Sequence, residues 1–335
     1  MTKSQDAVNA TPAGEPTDYA EFFGTIRVLG EILRTEDRRP WLTNVPKNPE
    51  HHKYAIWLGC HVLRVAHLAE TLDDILNYLK EDFVTLGGPS NCCGVVHEAK
   101  GDLAVSKNML RHTVNKLEAF TPEQMLYWCP SCDNQLRASP AEDGSALAKA
   151  RMSVVCFLSG QLSRMALHAV SPMKVAIHTH GGFAEQENDA VNAKTILSQI
   201  PGVEIIDMSA ITRERHCTID GIRSFGQVQY SDSIREWTQE AKRLGATHVT
   251  SIYHSCHRQI LLAARNWKPE ERLPVTNYLT ILAQALRLPA RQDKFAHCAD
   301  VNDVDRMLAD VEPDLISRGV RLDLAKRALT AQFGS

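Results

Sequence analysis

A chain of 335 residues, with 37 lysines and arginines against 40 aspartates and glutamates and a formal net charge of −3, is long enough for one large or two smaller hydrophobic cores. That balance offers no electropositive excess to a phosphate backbone, which argues against nucleic acid as a partner. The first residues lack the apolar core of a signal peptide and no run of 18 apolar residues occurs, so a cytoplasmic protein with no membrane span is expected; nine cysteines, an odd number, read as reduced ligands or redox groups rather than a disulfide framework.

Residues 1 to 17 are rich in Thr, Pro, Gly, Ala and acidic side chains and read as a mobile tail. In residues 18 to 36, Phe22, Ile26, Leu29, Ile32 and Leu33 recur at helical intervals, with Gly24 and Gly30 weakening the helix. The short apolar run Tyr54 to Leu58 reads as a buried strand ending at Gly59-Cys60. A helix is expected over 61 to 80, a strand over Phe83 to Leu86, and a turn-rich loop over Gly87 to Asn91 that leads into Cys92-Cys93-Gly94. A helix over 98 to 118 and a strand over Gln124 to Trp128 then deliver Cys129-Pro130-Ser131-Cys132. All three cysteine groups thus follow the carboxyl ends of strands, where open parallel α/β sheets place their sites.

Residues 137 to 148 read as a linker and 149 to 170 as a helix, with Cys156 a buried small hydrophobe on its apolar face. A second strand-helix series begins at Lys174 to Ile177, which ends at His178-Thr179-His180. A helix over 185 to 200, a strand over Val203 to Ile206, a loop to His216-Cys217, a helix near 231 to 244 and a strand over Thr247 to Ile252 carry it to Tyr253-His254-Ser255-Cys256. The first series separates its cysteine groups by 31, 35 and two residues; the second separates His180 from His216 by 35, Cys217 from Tyr253 by 35, and Tyr253 from Cys256 by two. Residues 258 to 288 and 301 to 333 read as helical, with Cys298 on a polar loop between them and structural.

Cysteines two residues apart at a strand-to-helix turn bring both sulfurs to one side. A vicinal pair does so only on a bent loop. Five thiolates exceed the four ligands of a mononuclear zinc, which favours a polynuclear iron-sulfur centre; the alternatives are a four-cysteine zinc site with one spare thiol, or a redox-active Cys129/Cys132 dithiol.

Gly59-Cys60, Cys92-Cys93-Gly94 and Cys129-Pro130-Ser131-Cys132 together resemble the CCG domain of the B-type subunit of heterodisulfide reductase and its relatives, over roughly residues 54 to 260 when the worn second copy is included. The resemblance implies an α/β fold: two pseudo-symmetric Rossmann-like CCG halves with parallel sheets, plus an N-terminal extension and C-terminal helices. The expected division is a tail and helix over 1–50, a cluster-binding half over 51–148, a degenerate half over 149–290 and C-terminal helices over 291–335.

It also implies a non-cubane [4Fe-4S] cluster ligated by Cys60, Cys92, Cys93, Cys129 and Cys132. The expected function is that of an oxidoreductase subunit acting on a disulfide or thiol, with a C-type ferredoxin-like subunit and a flavin-bearing A-type subunit as partners. Because the second copy lacks five thiols, cleavage between two such clusters is not expected. The nearer kind is a B-type subunit of the sulfur-oxidising heterodisulfide-reductase-like complex, which works with lipoate-carrying proteins. Two other readings stand beside it: an assembly subunit with structural metal sites, and the iron-sulfur subunit of a glycolate- or lactate-oxidase-type complex.

At the second site His180, His216, Cys217 and Cys256 form a two-histidine, two-cysteine set suited to zinc. The other reading is a site without metal. His178, His254 and His257 are candidates to orient a ligand there, and Tyr253 to fill the volume of the missing one.

Overall fold

The computed structural model describes residues 18–138, 145–179, 185–209 and 227–334. Two four-stranded parallel sheets carry the chain, ordered β2-β1-β3-β4 and β6-β5-β7-β8, so the second half repeats the topology of the first. The halves are pseudo-symmetric, and helices follow the second sheet to the carboxyl end.

In the first sheet β1 (Tyr54–Gly59) pairs with β2 (Phe83–Gly87) on one side and β3 (Gln124–Tyr127) on the other, and β3 pairs with β4 (Arg151–Ser153). Parallel neighbours need crossovers, supplied by α2 (Ala66–Tyr78) and α4 (Leu103–Glu118). The period of two sorts β1: Ala55 and Trp57 enter a small core under α4, while Ile56 and Leu58 enter the main core shared by both halves. The second sheet is built likewise from β5 (Met173–His178), β6 (Val203–Ile205), β7 (His248–Ser251) and β8 (Val275–Asn277). The amino-terminal helix α1 (Tyr19–Leu33), capped by Asp18, packs on the last helix, Leu322–Phe333. Arg291 clamps Asp74 of α2 through two contacts of 2.7 and 2.8 Å, tying the C-terminal segment back to the first half.

Four expectations change. The helix over 98 to 118 is two, α3 (Val95–Glu98) and α4, broken at Gly101, whose φ of +88° ends a helical turn. The helix over 149 to 170 is shorter, Val154–Gly160, because residues 151–153 pair with β3 as an edge strand. In the same way Val275–Asn277 interrupts the run from 258 to 288. Cys298 lies not on a polar loop but inside the helix Lys294–Val301, buried in the main core.

Candidate iron-sulfur site

Each cysteine group is delivered by a strand end and held by local geometry. Gly59 closes β1 at φ +73°, and a Cβ there would lie 3.0 Å from the Cys132 sulfur, so the glycine lets the two segments approach. Cys60 then heads a short 3-10 turn, His61–Val65.

After β2, the turn Pro89–Asn91 and the left-handed Gly94 (φ +84°) bend the chain around Cys92-Cys93. The bend is pinned from several sides. The fully buried Asn91 donates to the carbonyl of Gly87 at 2.8 Å, Trp57 Nε1 donates to the carbonyl of Asn91 at 2.9 Å, and Thr113 of α4 donates to the carbonyl of Cys92 at 3.0 Å. Cys129 precedes the helix α5 (Pro130–Ala138), where Pro130 needs no amide partner and Cys132 N–H donates to the Cys129 carbonyl at 3.1 Å.

The five sulfurs meet. Cys60 and Cys92 Sγ stand 3.6 Å apart, Cys93 neighbours both Cys92 and Cys132, and Cys132 neighbours Cys129. Four of the cysteines are buried and Cys129 is half-buried. So many thiols cannot all ionise in one apolar pocket. Cys92 is drawn well below the ordinary thiol range by hydrogen bonds from Cys60 and Cys93 and by the Gly94 N–H, 3.4 Å away. Cys129 is drawn down by Cys132 and by His254. Cys60 is pushed up by Cys92 and by burial, and Cys132 by Cys129, Cys93 and burial. For Cys93 the bond to Cys132 acts downward, but Cys92 and burial outweigh it. Five converging sulfurs therefore suit a positively charged polynuclear core that takes them all as thiolates, and exceed what a tetrahedral zinc accepts.

Sequence reasoning assigned His254 to the second site and passed over Arg64, Arg258 and His61, yet all of these reach the first pocket. His254, the first residue of the helix His254–Ala264, comes across from the second half; it lies beside Cys129, whose thiol it draws down, and stacks edge-on against Trp128 with ring centroids 5.6 Å apart. Trp128 in turn donates from Nε1 to the carbonyl of Ile252 at 3.3 Å, closing the seam. Arg64 lies near Cys60 and Arg258; burial, with Arg258 beside it, pulls its guanidinium down to about 9, still charged at neutral pH, while Cys60 acts the other way. His61 is held well below its ordinary value by burial, and by Arg64, Arg258 and His254. The signal available was a histidine one residue past the position matching Cys129 and an arginine one turn after Cys60; the distance in sequence between the halves concealed their meeting.

Of the second candidate set, His180, His216 and Cys217 lie outside the described residues. Cys256 is fully buried in the helix His254–Ala264. Tyr253, at the position matching Cys129, donates from its hydroxyl to Asp189 Oδ2 at 2.6 Å, and Ser153 donates to Oδ1 of the same buried carboxylate at 2.5 Å. Burial holds the Tyr253 hydroxyl protonated well above its usual range, and Asp189 acts the same way. His178 is fully buried at the end of β5, edge-on to Trp237. Cys156 is half-buried on the helix Val154–Gly160, its thiol pushed up by burial.

Residues 54–137 match the model of the cysteine-rich CCG domain. The chain is also similar to the D subunit of the dihydromethanophenazine:CoB–CoM heterodisulfide reductase of Methanosarcina acetivorans, 23% identical over 266 residues that cover 77% of this chain and 64% of the relative. The chain thus matches just under two thirds of that protein's length. Among solved structures, a candidate Asp/Glu racemase from Yersinia pestis (13% identity, 74% of this chain and 99% of that one, TM-score 0.32) and an aspartate racemase homologue from Pyrococcus horikoshii OT3 (12% identity, 70% and 97%, TM-score 0.30) share only slight likeness, from which nothing follows.

Proposed function

We propose that this chain is an iron-sulfur subunit of a heterodisulfide-reductase-like complex, of the B type found in the sulfur-oxidising version, and that it exchanges electrons with a disulfide or thiol at a non-cubane [4Fe-4S] cluster held by Cys60, Cys92, Cys93, Cys129 and Cys132. The observation that carries this reading is the convergence of five sulfurs from three strand ends in one buried pocket; the CCG match and the likeness to a heterodisulfide reductase component support it.

When bound, such a cluster supplies electron exchange beside a sulfur substrate. The chain's own groups do the rest. Arg64 and Arg258 place positive charge against an anionic centre, and His254 stands beside the Cys129 sulfur and favours its thiolate. Opening a disulfide to two thiols consumes two electrons and two protons. In the proposed complex the electrons pass through a C-type ferredoxin-like subunit and a flavin-bearing A-type subunit in the cytoplasm, and the sulfur group is lipoyl or another carrier-bound thiol. A zinc ion on His180, His216, Cys217 and Cys256 belongs to the same proposal.

The test is spectroscopic. Protein purified without oxygen should be coloured, and dihydrolipoamide should change its visible absorption and give a new paramagnetic signal, both absent from Cys93→Ala. A folded, colourless, iron-free protein ends this reading.

A further inference from the structure

We propose that His67, His257 and Asp293 hold one zinc ion at the seam between the two halves, apart from the thiol cluster and from the second candidate set. His67 is the second residue of α2 in the first half, His257 lies one turn into the helix His254–Ala264 of the second, and Asp293 caps the helix Lys294–Val301 of the C-terminal segment. One ligand atom from each lies within 4.8 Å of the others. His257 Nε2 is 2.6 Å from Asp293 Oδ2, His67 Nδ1 is 3.6 Å from Asp293 Oδ1, and the imidazole centroids are 5.6 Å apart.

Three features favour an ion over a plain hydrogen-bonded triad. Both imidazoles are almost wholly buried, at 2% and 1% exposure, so their ring nitrogens face protein groups and each other rather than bulk water. The carboxylate is left without a cationic side chain: among the described residues its ion pairs are with these two histidines, while Lys294 next to it bonds Asp314 at 2.9 Å and Arg291 is committed to Asp74 and Glu36. A divalent ion would neutralise that charge. Finally, Asp293 is already oriented, its Oδ1 accepting the N–H of Ala296 at 2.9 Å, as the carboxylates of metal sites are.

Tetrahedral zinc at bond lengths of about 2.0–2.1 Å takes the place of the His257–Asp293 hydrogen bond and spreads those two atoms to about 3.3 Å. Two nitrogens and one oxygen leave a fourth position to water. The ion staples three segments that are far apart in sequence, and sits one helical turn from His254. The inference does not rest on the iron-sulfur reading.

The full-length protein, purified without oxygen, stripped with EDTA and titrated with zinc chloride, should bind one zinc here, with a rise in melting temperature. His67→Gln and Asp293→Asn should each weaken that binding by at least about tenfold, with iron and sulfide content unchanged. Wild-type protein that takes up no zinc, or zinc equally well bound in both variants, overturns the proposal. Should either variant fail to fold, X-ray absorption of the wild-type zinc decides: a shell containing imidazole nitrogen and carboxylate oxygen without sulfur supports this site, and a shell of cysteine sulfur with no separate sulfur-free zinc refutes it. Iron and sulfide report on the cluster separately, so the two readings fail independently.

Discussion

The two halves share one topology and differ in what stands at the ends of their strands. In the first, Cys129 and Cys132 at the start of α5 meet Cys60 and the Cys92-Cys93 bend. In the second, the matching strand-to-helix turn carries Tyr253 and Cys256, and the tyrosine hydroxyl is spent on the buried Asp189, which Ser153 also holds. A strand end in this sheet order is thus a position, and its chemistry is set by which side chain occupies it. The second half has also turned outward: His254, next to Tyr253, serves the first half's pocket rather than its own. The worn half thereby lends a side chain to the five-cysteine pocket.

The strongest test of that division removes one sulfur from each half. Cys93→Ala should lose the iron-sulfur chromophore, while Cys256→Ala should leave iron content as it is; equal loss from both would erase the contrast. Next in size is the bend that presents the vicinal pair. Gly94 has φ +84° and a Cβ there would lie 2.6 Å from the Ser106 carbonyl oxygen, so Gly94→Ala should cost at least about 2 kcal/mol in denaturant unfolding and impair cluster retention.

In the second half the same kind of damage should be structural only. Tyr253→Phe deprives the buried Asp189 of a donor and should cost about 1–3 kcal/mol, with iron unchanged. A loss of iron there would mean that the tyrosine supports the cluster. His254→Gln should keep the iron but shift the midpoint potential, because the Cys129 sulfur loses the imidazole that favours its thiolate from the other half. An unaltered potential would confine His254 to packing against Trp128.

Much of this was legible beforehand. The inner strands β1, β3, β5 and β7 and their neighbours β2 and β6 announce themselves as short apolar runs before turn residues, and they fix the cysteine groups at strand ends. The strands β4 and β8 are three residues each and run straight into helices, so their apolar residues merge with a helical pattern and only pairing with β3 and β7 reveals them. His254, Arg64 and the His67–His257–Asp293 group depend on packing between the two halves, across 125 or more residues of sequence, and no local period encodes such contacts.

Cys298 is a smaller case of the same kind. Its place between two helical stretches suggested a polar loop, yet the helix turns it into the core, where burial, with Asp310 and Asp293 nearby, pushes its thiol up to about 12. Below the ordinary thiol value both states keep the proton. Above it the unfolded chain ionises first, so this contribution to stability is lost as pH rises toward 12. Cys298→Ala should therefore flatten the fall of melting temperature between pH 8 and about 10.5, a modest effect; an unchanged slope would show the thiol to be solvated.

The central claim, one cluster in the half with five sulfurs and none in its hydrogen-bonded copy, is tested most directly by iron and acid-labile sulfide per chain after purification without oxygen. The account predicts about four iron atoms per chain, with sulfide to match. Protein that folds without iron, or that holds about eight iron atoms, would contradict it.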